Sequence, residues 1–187
     1  MRSISAFAFL TVNGFYKGIN EDISWHIHGE EGNQYSIDSL QSGNILMLGR
    51  ETYDIMYPYW VSEIARTQYP VVAERMKAAE KLIISNTLIS TFWNNAKIIS
   101  GDIISQITQL KKTPGKNISI LGSGSLISTL TDAGLIDEYD FLIDPLAIGH
   151  GTPIFQNIKN TLRLELTNTR VFEKSGSILL TYKKVGE

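Results

Sequence analysis

Ile118-Ser119-Ile120-Leu121-Gly122-Ser123-Gly124-Ser125-Leu126 is the stretch on which the reading of the fold turns. A short apolar run ends at a Gly/Ser turn, and Leu126, Ile127 and Leu130 then recur at helical spacing. Gly134 stands where a left-handed helix C-cap belongs. This is a buried strand feeding a tight turn that opens a helix. Glycines let a backbone approach a ligand closely, and the free N–H groups of a helix start favour an anion such as a pyrophosphate. The same residues suit a tight strand-to-helix turn with no ligand, and the segment alone leaves both readings open. A Rossmann fingerprint is a poor match, because position 127 is Ile where a third Gly is required and the segment comes late in the chain.

Working outward, Leu46-Met47-Leu48-Gly49-Arg50-Glu51-Thr52-Tyr53 repeats the pattern. Another strand ends at Gly, now followed by Arg50 and Thr52 at a helix start. A guanidinium fork suits phosphate and a Thr hydroxyl adds a contact. The alternative is a surface ion pair for Arg50 and a capping role for Thr52. Two such turns on neighbouring strand ends would together hold a dinucleotide, since ligands of α/β sheets sit beyond the carboxyl ends of strands.

Further apolar runs, Ile4–Leu10, Leu82–Ile84, Lys97–Ile99 and Tyr139–Ile143, fit strands buried on both faces of a largely parallel sheet. Between them lie helical patterns. Asp102 precedes Ile103, Ile104, Ile107 and Leu110, and Pro70 suits a first helical position. A further helix is expected over 34–42. The segment 161–172 alternates Leu162, Leu164 and Leu166 against Arg163, Glu165 and Thr167, and after Ser175-Gly176 the run 177–182 alternates again. That is an antiparallel hairpin closing one side of the sheet. With no repeat or low-complexity linker, residues 1–187 form one α/β domain.

Of the 187 residues 43% are hydrophobic and 19% charged, enough for a real core, and the formal net charge of -2 argues against a nucleic-acid-binding face. The absence of cysteine excludes disulfides, thiolate catalysis and Cys-ligated zinc. The apolar run near the N-terminus is too short to span a bilayer and lacks a cleavage site, so the location is expected to be cytoplasmic, with no membrane partner. Lys111-Lys112 and Lys183-Lys184 are read as solvated element ends, and the acidic pairs Glu30-Glu31 and Asp137-Glu138 as solvated too.

Thr11-Val12-Asn13-Gly14-Phe15 leaves the first strand, and the segment from Tyr16 to His28 that follows, with Trp25, His26 and His28, has the composition of a lid over a site. No third ligand follows His26 and His28 at metal spacing, so both are read as surface histidines and no metal is expected. His150, between Gly149 and Gly151, is read as a loop residue. No nucleophile elbow is present.

Taken together these residues resemble a known family. Thr11–Phe15 looks like an S-x-D-G motif after the first strand; Leu48–Tyr53 matches L-G-R-x-T-Y, with Tyr59-Trp60 beyond it. Leu82–Ser85 is similar to the family's adenine-side strand ending in Ser, and Gly122–Leu126 to its G-G-x-x-L turn. Leu135–Glu138 and Pro145–Gly151 match L-I-D-E and P-x-x-x-G-x-G. The closing Ser175-Gly176 and Tyr182 fit its terminal hairpin. The matches run in order along nearly the whole chain. The family is the dihydrofolate-reductase-like group that includes the C-terminal reductase domain of the bifunctional riboflavin-biosynthesis enzyme (RibD).

The resemblance implies a central mixed eight-stranded sheet flanked by helices, NADPH as cofactor and a homodimer. It implies Gly49, Arg50, Thr52, Ser85, Gly122, Ser123, Gly124 and Ser125 as dinucleotide contacts. Trp25 would lie beside the nicotinamide, and Asn13 with Trp25 would touch substrate. The implied reaction is hydride transfer to a pyrimidine-, pterin- or sugar-like substrate, most like the phosphoribosylaminouracil of riboflavin biosynthesis. The alternatives are reduction of dihydrofolate and a non-catalytic nucleotide- or ligand-binding protein on the same fold. Asn13 stands where the family usually has Asp, Ser123 replaces the second Gly of the turn, and Leu121 takes the place of an acid. Asp38 is the one acid inside the expected helix over 34–42, with Glu31 before it. No side chain stands out as a general acid, so water is the expected proton source.

Overall fold

The computed structural model describes residues 1–186. Along the chain run β1 (Ile4–Thr11), β2 (Phe15–Lys17), α1 (Glu30–Gln41), β3 (Ile45–Gly49), α2 (Arg50–Trp60), α3 (Glu63–Gln68), α4 (Pro70–Ala78), β4 (Lys81–Ile84) and β5 (Ala96–Ile99). There follow α5 (Ile103–Lys112), β6 (Ile118–Leu121), α6 (Gly124–Asp132), β7 (Glu138–Asp144), β8 (Thr152–Pro153), β9 (Leu164–Phe172) and β10 (Ser177–Lys184). The starts and stops have local causes. Asp102 accepts the Ser105 N–H at 3.0 Å to cap α5, Ser62 accepts that of Ala65 to cap α3, and Pro70 opens α4. Gly134, at φ +69°, closes α6 as its position in the sequence predicted.

Eight strands form one sheet in the order β5-β4-β3-β6-β1-β7-β10-β9. The first six are parallel to their neighbours, and β10 runs antiparallel to both β7 and β9, so the sheet is mixed and ends in the expected hairpin. The short strands β2 and β8 pair separately beside the end of β1.

Alternation along β1 decides what lies on each face. Ile4, Ala6, Ala8 and Leu10 are buried with Ile107 of α5 and Ile127 and Leu130 of α6. On the other face Leu46, Leu48 and Ile83 pack with Tyr53, Val72 and Met76 of α2 and α4. Phe7 and Phe9, the odd residues of β1, face that second layer and are only partly buried. The helices on their side leave a gap over β1. That gap becomes the cavity.

The structure corrects several expectations. The first helix begins at Glu30, not at residue 34, so Glu31 lies in its first turn. Its carboxylate accepts the backbone N–H groups of Glu173 and Lys174 at 3.1 and 2.9 Å, pinning the β9–β10 turn to α1, while Glu30 pairs with the Lys174 ammonium. Asp137 is likewise engaged: it accepts the Ile4 N–H at 2.8 Å and the Lys111 ammonium at 2.5 and 2.6 Å. Lys111 is therefore no solvated helix end. The first strand of the hairpin, β9, starts at Leu164 and not at residue 161, and a register shift against β10 breaks its strict alternation.

Lys81 opens β4 at 1% exposure, its ammonium donating to the carbonyls of Ala79 at 2.6 Å and Asn94 at 2.9 Å and lying 5.0 Å from the centre of the Trp93 ring. Burial pulls this lysine down to about 8. The carbonyls it serves end α4 and precede β5, so one cation ties two connections together. Lys81→Met strands these acceptors and is expected to cost about 1–3 kcal/mol, measured by urea unfolding at neutral pH. A folded pKa below the unfolded one means that the unfolded chain holds more protons between about pH 8 and the ordinary lysine range. Wild-type stability relative to Lys81→Met should therefore rise with pH across that window.

Candidate functional site

The carboxyl ends of β3 and β6 lie side by side, and each runs directly into a helix. Neither start is capped by a side chain: Gly49 has none to offer, and Ser123 turns its hydroxyl elsewhere. The first-turn N–H groups of α2 and α6 are thus free of side-chain caps, which is the condition for binding an anion there. Gly122 and Ser123 both take left-handed backbone, at φ +56° and +57°. For Ser this costs about 1–2 kcal/mol. Two contacts offset it: the Ser123 hydroxyl accepts the Gly49 N–H at 2.6 Å and bonds the Thr52 hydroxyl at 2.6 Å. Ser123 therefore clasps the two helix starts together. A Cβ on Gly49 would come within 2.8 Å of the Ser123 oxygen, and one on Gly124 would overlap the Tyr16 ring, so both glycines are required by close approach. Ser123→Ala keeps the strain and orphans the Gly49 N–H; a loss of about 1–3 kcal/mol in stability is expected, read by chemical unfolding.

Beside this clasp opens a cavity of about 370 Å³, between β1, α1 and α2. Its walls are mainly apolar, with Phe7 and Phe9 on the sheet, Tyr35 and Leu40 on α1, and Ile55 and Trp60 on α2 among them. Thr52, Gly122 and Ser123 reach its wall, so cradle and cavity are continuous. The 13–28 segment supplies the remaining side with Tyr16, Lys17, Glu21, Ile23 and His26, which is the location a lid would need. Lys17 sits between Glu21 at 2.5 Å and Glu51 at 3.2 Å. Burial works against its charge, but the two carboxylates outweigh that and hold it above the ordinary lysine range.

The histidines differ from expectation. His26 is not a surface residue: its side chain is 9% exposed, stacked on Phe9 at 3.6 Å, with Nδ1 2.6 Å from Asp144. Asp144, itself 4% exposed, accepts the Ser177 hydroxyl at 2.6 Å through its other oxygen. His28 also lines the cavity, and burial, helped by His26, pushes it below the ordinary imidazole range. Sequence reasoning missed this group because Ile27 is 77% exposed between them. The alternation Trp25-His26-Ile27-His28 was the available signal, for an extended segment puts both histidines on one face.

The remaining candidates lie apart from the cavity wall. Arg50 bonds Asp54 at 2.7 and 2.9 Å, the surface ion pair weighed as its alternative, with Thr87 3.5 Å away. Ser85 is buried and accepts the N–H groups of Thr87 and Leu88, shaping the turn after β4. Ser125 is exposed in the first turn of α6. Asn13 donates to the Ile148 carbonyl at 2.9 Å and accepts the Thr11 hydroxyl, tying the β1 end to the loop after β7. Trp25 donates to the Asp22 carbonyl at 3.1 Å. Among the described residues, no three His, Asp or Glu side chains group as metal ligands, and no helix is long and apolar enough to cross a membrane.

Residues 2–176 match the family of the RibD C-terminal domain. The chain is 30% identical to the Bacillus subtilis protein YyaP, described as uncharacterized, over 92% of this chain and 90% of that one. Among solved structures, a putative riboflavin biosynthesis protein from Shewanella sp. PV-4 superposes with a TM-score of 0.73 at 18% identity, covering 98% of this chain and 99% of that one. The dihydrofolate reductase of Enterococcus faecalis, complexed with NADP(H), gives a TM-score of 0.64 at 14% identity, with 98% and 97% covered. The fold is thus dihydrofolate-reductase-like.

Proposed function

Because the chain belongs to the RibD C-terminal domain family, we propose that it is an NADPH-dependent reductase acting on a C=N or C=O group of a small planar substrate held between α1 and α2. One observation carries this reading: two uncapped helix starts, clasped by Ser123, open onto an apolar cavity of ligand size. An anionic diphosphate suits the first feature and a flat ring the second. The left-handed turn at Gly122 leaves backbone exposed at the cradle, which fits the close approach of a dinucleotide, and the Tyr16 ring packed on Gly124 walls its side.

In this reading the N–H groups of Ser123, Gly124 and Ser125 hold the diphosphate, that of Gly122 being donated to the Phe7 carbonyl, while Gly49 and Thr52 fix the neighbouring turn and Arg50 and Ser85 flank the adenosine side. When bound, NADPH supplies the hydride. The chain's own residues do the rest. Phe7, Phe9 and Trp60 exclude water and orient the ring, which raises the effective concentration of the reacting atoms. The proton comes from water at the cavity mouth.

The test is loss of reduced-nicotinamide absorbance on adding a panel of pterins, pyrimidines and planar carbonyl compounds. Oxidation dependent on both protein and substrate, with NADPH preferred over NADH, is the expected result. Binding of NADPH without oxidation by any of the panel would instead favour a ligand-binding protein on this fold.

A further inference from the structure

The charge inventory of the cavity constrains what can enter it. Apart from tyrosines, its ionisable wall residues are Lys17, Glu21, Glu51, His26 and His28. The one ammonium is shared by two carboxylates, at 2.5 and 3.2 Å. His26 Nδ1 is already engaged by the Asp144 carboxyl at 2.6 Å. Burial, helped by His26, pushes His28 below the ordinary imidazole range. No cation is therefore left over for a ligand's phosphate or carboxylate.

The opposite case fails too. The wall positions on α1 are Tyr35, Ser36, Ser39 and Leu40, and β6 contributes Leu121. Asp38 lies on the exposed side of α1, bonded to Gln34 at 2.8 Å, and is not part of the wall. No carboxylate reaches in from the floor to pair with a cationic ring. A buried charge without a counter-charge costs several kcal/mol: an anion finds no free cation and meets the surplus carboxylate of Glu21 and Glu51 over Lys17, while a cation finds only those two well-exposed carboxylates, both already bound to Lys17. What the walls do offer is aromatic area on two sides, Phe7, Phe9 and Tyr35 facing Tyr59 and Trp60, with the Ser39 hydroxyl and the unpartnered Nε2 atoms of His26 and His28 among them, the Ser36 hydroxyl being donated to the Gly32 carbonyl.

Resting on the reductase reading, we propose that the substrate of this cavity is an uncharged aromatic carbonyl compound, not a phosphorylated or carboxylated one. The aromatic walls take the ring and the Ser39 hydroxyl donates to the carbonyl oxygen. Hydride from the dihydronicotinamide adds to the carbonyl carbon, the C=O π pair moves to oxygen, and oxygen takes a proton from water. The products are an alcohol and the oxidised nicotinamide.

Binding is tested first, without NADPH but in saturating inorganic pyrophosphate to occupy the helix-start cradle, by quenching of tryptophan fluorescence with naphthyl methanol and with naphthyl phosphate. The uncharged probe should bind at least about tenfold tighter. In the double variant Glu21→Gln/Glu51→Gln, which frees Lys17, that gap should shrink or reverse. Equal or tighter binding of the phosphate by the wild type overturns the proposal, as does a gap that the double variant leaves unchanged. Turnover is then followed with NADPH and naphthaldehyde, its carboxylated analogue, dihydrofolate and a phosphoribosylaminouracil. Naphthaldehyde should be reduced fastest, and faster turnover of a charged member overturns the proposal. Selective binding of the uncharged probe with no NADPH oxidation by any member upholds the uncharged-ligand assignment and overturns the reductase reading beneath it.

Discussion

Replacing Gly124 with Ala is expected to weaken NADPH binding by at least about a hundredfold, the loss of two charge-assisted hydrogen bonds worth about 1.5 kcal/mol each. The added Cβ overlaps the Tyr16 ring, which lies directly on Gly124 and forms the wall where cradle and cavity meet. Either Tyr16 leaves the wall or the first turn of α6 moves, and both disturb the backbone N–H groups proposed to hold the diphosphate. Calorimetric titration with NADPH reads the effect, with thermal unfolding as the control for folding. Ser125→Ala is the matched comparison. It touches the same turn but leaves its N–H groups intact, so near wild-type binding is expected.

Asp144→Ala should be the most destabilising single change at the site, at about 3–5 kcal/mol. Asp144 is 4% exposed at the end of β7 and joins His26 of the 13–28 segment to Ser177 of β10. Its removal strands the buried His26 Nδ1 and leaves the Ser177 hydroxyl with Ser175 alone, the costly direction of breaking a buried polar group. Asp144→Asn keeps one acceptor for Ser177 and should cost less. Urea unfolding of the two variants checks the order, and equal stability of Asp144→Ala and wild type would remove this network from the account.

The strands and their order of appearance were legible because buried parallel strands are short apolar runs bounded by Gly, Asn or Asp, as at Ile118–Leu121 and Ile45–Gly49. Helix starts at Pro70 and after Asp102 were legible for the same local reason: caps act within one turn. What stayed hidden was long-range. Ser123 looked like an interrupted glycine motif, and only the adjacency of β3 and β6 shows its hydroxyl meeting Gly49 and Thr52. His26 looked solvated among polar neighbours, and its partner Asp144 lies 118 residues away. Glu31 looked free until the β9–β10 turn was found lying across α1. Charge near a helix start is readable from sequence; which distant N–H it serves is not.

Titration of the wild-type protein with NADPH, with NADH as the competitor and Gly124→Ala as the control, tests the central claim most directly. Saturable one-site binding, preference for NADPH, and collapse of binding in the variant are expected. Absence of binding by the wild type, or undiminished binding by Gly124→Ala, would contradict the claim.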